Sequence, residues 1–89
     1  MTQKKHYTVV LTKTAEKEYK SIKDLKLLKR VNAIIEDLET NPLTGKPLYG
    51  EYEGCRVVKT FSFRLIYLIS KSDVIITVVK IQHRKDSYR

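Results

Sequence analysis

The chain has 89 residues, with 18 Lys and Arg against 10 Asp and Glu, a formal charge of +8. That length leaves room for one domain, residues 1–89, and none for a second, while 42% hydrophobic and 31% charged residues exclude a disordered basic tail. A single cysteine excludes an internal disulfide, and the longest wholly apolar run, Leu65–Ile69, falls far short of the ~20 residues of a membrane span.

One unpaired thiol suits a reducing compartment. Lys4 and Lys5 are followed by no apolar stretch long enough for a secretory signal, so a cytoplasmic protein with no membrane association is expected. The charge is unevenly placed: 10 basic and 8 acidic residues lie between Met1 and Glu53, against 8 and 2 between Gly54 and Arg89. A surplus confined to one part of a fold makes a positive face, which favours polyanions such as RNA.

The elements read in order. Tyr7 to Thr12 is rich in β-branched and aromatic residues and predicts a strand. Thr12 or Thr14 can cap a following helix, in which Glu16 and Glu18 complement the positive N-terminus and Ala15, Tyr19 and Ile22 fall at helical spacing. Leu25, Leu28, Val31, Ile35 and Leu38, widened by Leu27 and Ile34, form an apolar stripe opposite Lys26, Lys29 and Arg30, which predicts an amphipathic helix of about four turns. Asn41-Pro42 ends it.

A loop punctuated by Pro42, Gly45, Pro47, Gly50 and Gly54 follows. Three β-rich runs come next, Cys55 to Lys59, Phe63 to Ile69 and Val74 to Ile81, joined by links short enough only for antiparallel neighbours. The expected fold class is α+β, ordered β-α-α-β-β-β: an antiparallel sheet with a helical hairpin packed on one face. The last two strands are apolar on nearly every position, as strands in the middle of a sheet are.

Alternation puts Phe63, Leu65, Tyr67 and Ile69 on one side of their strand and Arg64, Ile66 and Leu68 on the other. Arg64 interrupts an apolar strand, so its guanidinium must reach water, a carboxylate such as Glu51 or Glu53, or an anionic ligand. Lys59 precedes it across a tight hairpin, Arg56 starts the same preceding strand, and Lys80 leads into a tail of His83, Arg84, Lys85, Tyr88 and Arg89. Lys59, Arg64, His83, Arg84 and Tyr88 are expected to converge on one end of the sheet. Cations that hold a phosphate beside a proton acceptor are the minimum apparatus for cutting RNA without a metal. Two histidines and one cysteine make no zinc pattern, no acidic cluster suits magnesium, and no cofactor motif is present.

Three segments make the chain familiar: Pro42-Leu43-Thr44-Gly45-Lys46-Pro47-Leu48, Phe63-Arg64-Leu65-Ile66-Tyr67 and His83-Arg84-Lys85-Asp86-Ser87-Tyr88. Together, and in this order, the chain resembles the RelE/ParE superfamily of type II toxin–antitoxin toxins. In the RelE branch the resemblance implies a ribosome-dependent endoribonuclease, an mRNA interferase that cuts mRNA in the A site by 2′-OH attack on the adjacent phosphodiester. It implies that Arg64 holds the phosphate, that Arg84 stabilises the added charge of the transition state, that Lys59 fills a basic position on the preceding strand, and that Tyr88 stacks on the base or takes the 2′-OH proton. Arg56, Lys80, Lys85 and Arg89 are expected to bind RNA, with other cations attracting rRNA in a salt-sensitive way.

The resemblance also implies a cognate RelB-like antitoxin, with operator DNA bound only through the complex. The ParE branch shares the fold but inhibits DNA gyrase by binding, and is the competing reading. Two departures from the family pattern stand out: a second basic position on the strand before Arg64 falls on Val57, and the usual Gly-Asp or Gly-Asn turn is replaced by Phe61-Ser62. Tyr88 and His83 both qualify as the base. A phenol near its ordinary pKa of about 10 is rarely ionised at pH 7 without nearby cations, whereas a histidine near 6.5 needs no such help.

Overall fold

The computed structural model describes residues 6–83. Strand β1 (Thr8–Leu11) runs into helix α1 (Lys13–Lys20), and Thr12 makes the junction: its hydroxyl oxygen accepts the Ala15 N–H at 3.1 Å and donates to the Val79 carbonyl at 3.1 Å. Helix α2 (Leu25–Thr40) starts at Asp24, whose carboxylate accepts the N–H groups of Lys26 and Leu27. Of the apolar stripe, Leu27, Val31 and Leu38 are fully buried, while Leu25 in the first turn is 71% exposed. Tyr19 ties the two helices together by donating to Asn32 at 2.7 Å.

The remaining strands are β2 (Lys46–Pro47), β3 (Arg56–Lys59), β4 (Phe63–Ser70) and β5 (Ile75–His83), with a 3-10 turn at Gly50–Tyr52. They form one sheet in the order β1-β5-β4-β3-β2. The helical pair packs on one face, against Phe63, Leu65, Tyr67, Ile76, Val78 and Ile81. The two strands that are apolar on nearly every position do lie inside the sheet.

The sheet is mixed rather than antiparallel throughout, because β1 pairs with β5 in parallel. Short links dictate direction only between strands that are neighbours in sequence. The first and last strands are separated by the whole helical layer and two hairpins, which leaves their mutual direction to tertiary packing. Beyond Val78, β1 no longer borders β5 and α1 takes over that edge. Thr12 donates its N–H to the Val78 carbonyl, and the Glu18 carboxylate accepts the Ile81 N–H at 2.7 Å. At the same place β4 and β5 slip by one residue between Ile66 and Tyr67, leaving Val79 extra on β5.

Candidate functional site

The β3–β4 hairpin turns without any left-handed residue. The Thr60 hydroxyl oxygen accepts the N–H groups of Ser62 (3.2 Å) and Phe63 (3.0 Å), and the Thr60 N–H donates to the Phe63 carbonyl at 2.9 Å. A side-chain oxygen thus does the work of a backbone carbonyl, which explains why Phe61-Ser62 can stand where a Gly-containing turn is usual.

Immediately behind this turn Lys59 and Arg64 are paired across the ladder, and Arg64 is paired in turn with Gln82 of β5. Directly opposed residues of antiparallel strands put their side chains on the same face. Lys59, Arg64 and Gln82 therefore form one rung on the face opposite the helices. Lys59 and Arg64 are both exposed, and neither has a carboxylate partner among the described residues; Glu51 and Glu53 make no ion pair with Arg64.

The next rung along the open face is Lys46, Val57, Ile66 and Lys80. Val57 and Ile66 are buried there, and Lys46 on β2 is exposed. A cation thus stands one strand over from the position at which the family pattern has its second basic residue. Lys46 is not legible in the sequence, because a two-residue strand that ends on Pro47 carries no strand signal; only pairing with β3 puts it on this face.

His83 reaches the same end of the sheet but pairs with Phe63, which is fully buried against the helices. Register thus sets His83 on the helix-packed side and Arg64 on the open side. Both border a cleft of about 760 Å³ beside the α1–α2 turn, whose walls include Glu18, Lys23, Lys80 and Gln82.

Two predicted RNA-binding cations have protein partners. Lys80 starts from the open face opposite Ile66 but makes an ion pair with Glu18 at 3.1 Å, half-buried at the edge of β5 that α1 borders. The Arg56 Nε donates to the Gly45 carbonyl at 2.9 Å. Arg56 there joins a latch on the loop after α2: Tyr67, Arg56's partner in the ladder, donates its hydroxyl to the Pro42 carbonyl at 2.7 Å and accepts the Gly45 N–H at 2.9 Å. Burial pushes the Tyr67 phenol above its ordinary pKa, the Gly45 N–H and the Arg56 guanidinium pull it partly back, and Asp37 adds to the rise. This phenol is a protonated structural group. Burial likewise raises the Cys55 thiol, which lowers the fraction present as thiolate. Arg84, Lys85, Tyr88 and Arg89 lie outside the described residues.

Among the described residues no three His, Cys, Asp or Glu side chains gather as metal ligands, and no helix is long and apolar enough to cross a membrane.

A family model described as the ParE toxin of type II toxin-antitoxin system, parDE, matches residues 9–88. Toxin RelG of Mycobacterium tuberculosis is 32% identical over 84 residues, covering 93% of this chain and 97% of RelG. A chain of the M. tuberculosis toxin-antitoxin complex RelBE2 superposes with a TM-score of 0.81 at 28% identity, over 92% of this chain and 95% of that one. The YoeB/ParE toxin from Agrobacterium tumefaciens shares the fold at a TM-score of 0.76 and 22% identity, over 85% of this chain and 96% of its own.

The family match, the 32% identity to RelG and the shared fold of two helices on a five-stranded mixed sheet make this a small toxin of the RelE/ParE superfamily. The chain belongs to the ParE toxin family of type II toxin–antitoxin systems.

Proposed function

We propose that this toxin is an endoribonuclease that cuts mRNA in the ribosomal A site, without a metal cofactor. The observation that carries the reading is the Lys59–Arg64 rung. Like charges directly opposed on a sheet repel, at a cost of about 0.2–1 kcal/mol. A phosphodiester seated between them converts that repulsion into attraction, and Lys46 adds a third positive charge on the same face.

In the proposed reaction the nucleotide's 2′-oxygen attacks the adjacent phosphorus and its proton passes to a base. The bond to the 5′-oxygen breaks, and that oxygen gains a proton, which leaves a 2′,3′-cyclic phosphate and a 5′-OH. Arg64 and Lys59 hold the phosphate, and Arg84 with Arg64 balances the extra negative charge of the pentavalent state. Tyr88 and His83 are the two candidates for the base: the resemblance points to Tyr88, while His83 sets out from the helix-packed side of the sheet but borders the same cleft as Arg64. Lys85 and Arg89 add to RNA binding. Arg56 and Lys80, engaged by Gly45 and Glu18, support the site's framework.

The proposed protein partner is a RelB-like antitoxin that neutralises the cationic face and brings operator DNA binding to the complex; the M. tuberculosis neighbour is itself part of a toxin–antitoxin complex. The proposed setting is the cytoplasm, where mRNA and rRNA meet on the ribosome. The description of the matching family as ParE toxin favours a second reading, inhibition of DNA gyrase by binding. The two separate in one comparison. With programmed ribosomes, new mRNA 5′-OH ends at the A-site codon support the nuclease. Intact mRNA together with gyrase-linked DNA breaks supports the gyrase reading.

A further inference from the structure

Phe61 is 84% exposed, more than any other large hydrophobic side chain among the described residues. Single exposed apolar residues are common, so exposure alone assigns it nothing. Its setting says more. The turn that carries it is held by three short bonds to Thr60, so an aromatic ring is presented from a fixed backbone rather than a loose loop. The rung directly behind it is Lys59–Arg64, two exposed cations without carboxylate partners among the described residues. A protein-binding anchor is ordinarily surrounded by further apolar surface, whereas the ladder here supplies positive charge. One nucleotide offers an aromatic face and a negative charge joined by a short sugar, which matches a turn that carries an exposed aromatic side chain immediately beyond a rung of two cations.

We propose that Phe61 stacks on a nucleobase of single-stranded RNA whose phosphate is held by Lys59 and Arg64, so that one hairpin grips base and backbone together. The proposal rests on the RNA reading above and deepens it by naming a binding residue. Stacking of this kind tolerates any base, and its loss on substitution by alanine corresponds to roughly 5- to 150-fold in affinity.

The test uses a ten-nucleotide single-stranded RNA, 2′-O-methylated against cleavage, at low salt. The chain contains no tryptophan, so Phe61→Trp places a single indole at the proposed stacking position. Titration with the RNA is expected to quench indole fluorescence, with affinity within about threefold of wild type by the same stacking argument. Phe61→Ala is expected to bind the RNA at least fivefold more weakly, with an unchanged melting temperature. Replacing bases one at a time by abasic sites is expected to abolish the difference between wild type and Phe61→Ala at one position. Wild-type binding that Phe61→Ala retains in full, with no quenching in Phe61→Trp, overturns the stacking role and leaves the RNA reading standing. Absence of RNA binding by the wild type overturns the stacking role, and absence of A-site cleavage on programmed ribosomes overturns the RNA reading with it. Retained RNA binding with lost binding to an acidic antitoxin peptide makes Phe61 a protein contact and also refutes the proposal.

Discussion

Lys59 faces Arg64 directly across the β3–β4 ladder, the last regular rung before the hairpin turn. Two cations in that relation cost the free protein stability and gain it back when an anion lies between them. Lys59→Gln is therefore expected to leave the melting temperature unchanged or raise it by up to about 5 °C. The same variant is expected to cut mRNA roughly 10- to 100-fold more slowly, as one of two phosphate contacts is gone. Thermal scans and single-turnover cleavage measure the two effects separately.

The Tyr67 hydroxyl bonds both Pro42 and Gly45, and a Cβ at position 45 would sit 2.7 Å from the Val57 carbonyl oxygen and 2.9 Å from the Tyr67 ring. Neither backbone nor a fully buried ring can give way easily. Tyr67→Phe orphans two backbone groups and is expected to destabilise by about 1–3 kcal/mol. Gly45→Ala is expected to cost about 1–3 kcal/mol through overpacking. Urea melts of the two variants and the double variant measure these costs; a double-variant loss well short of the sum shows that both act on one latch.

That phenol also sets an alkaline limit. Its pKa is raised in the folded state, so the folded chain holds the proton more tightly than the unfolded chain. The corresponding stability is complete below the unfolded value of about 10 and is lost as pH rises through the folded one. Stability followed by denaturant titration between pH 8 and 11.5 is expected to fall above pH 10, less steeply in Tyr67→Phe.

Glu18 closes the edge of β5 where β1 ends, accepting from Ile81 and pairing with Lys80. Glu18→Ala is expected to lose about 1–3 kcal/mol, read as a drop of several degrees in melting temperature. Hydrogen exchange is expected to rise selectively at the Ile81 amide.

The pattern of residues revealed those parts of the fold that depend on nearby sequence. The stripe through Leu27, Val31 and Leu38 and the alternation of Phe63, Arg64, Leu65 and Ile66 are local periodicities, and the buried faces follow them. The parallel pairing of β1 with β5 was illegible, because no short link constrains it. The same distance hid the roles of two cations. Arg56 reads as a free strand arginine until the loop returns the Gly45 carbonyl to it, and Lys80 until Glu18 arrives from 62 residues earlier. Lys59 and Arg64 were legible as candidates because a hairpin joins them. That His83 sets out from the opposite face of the sheet follows only from its register with Phe63, which composition does not carry.

The central claim is that Arg64 clamps the phosphate at which mRNA is cut. Single-turnover cleavage of A-site mRNA on programmed ribosomes, wild type against Arg64→Ala at matched melting temperature, tests it most directly. A rate roughly 10²- to 10³-fold lower for Arg64→Ala is the predicted result. Cleavage by Arg64→Ala at the wild-type rate would contradict the account.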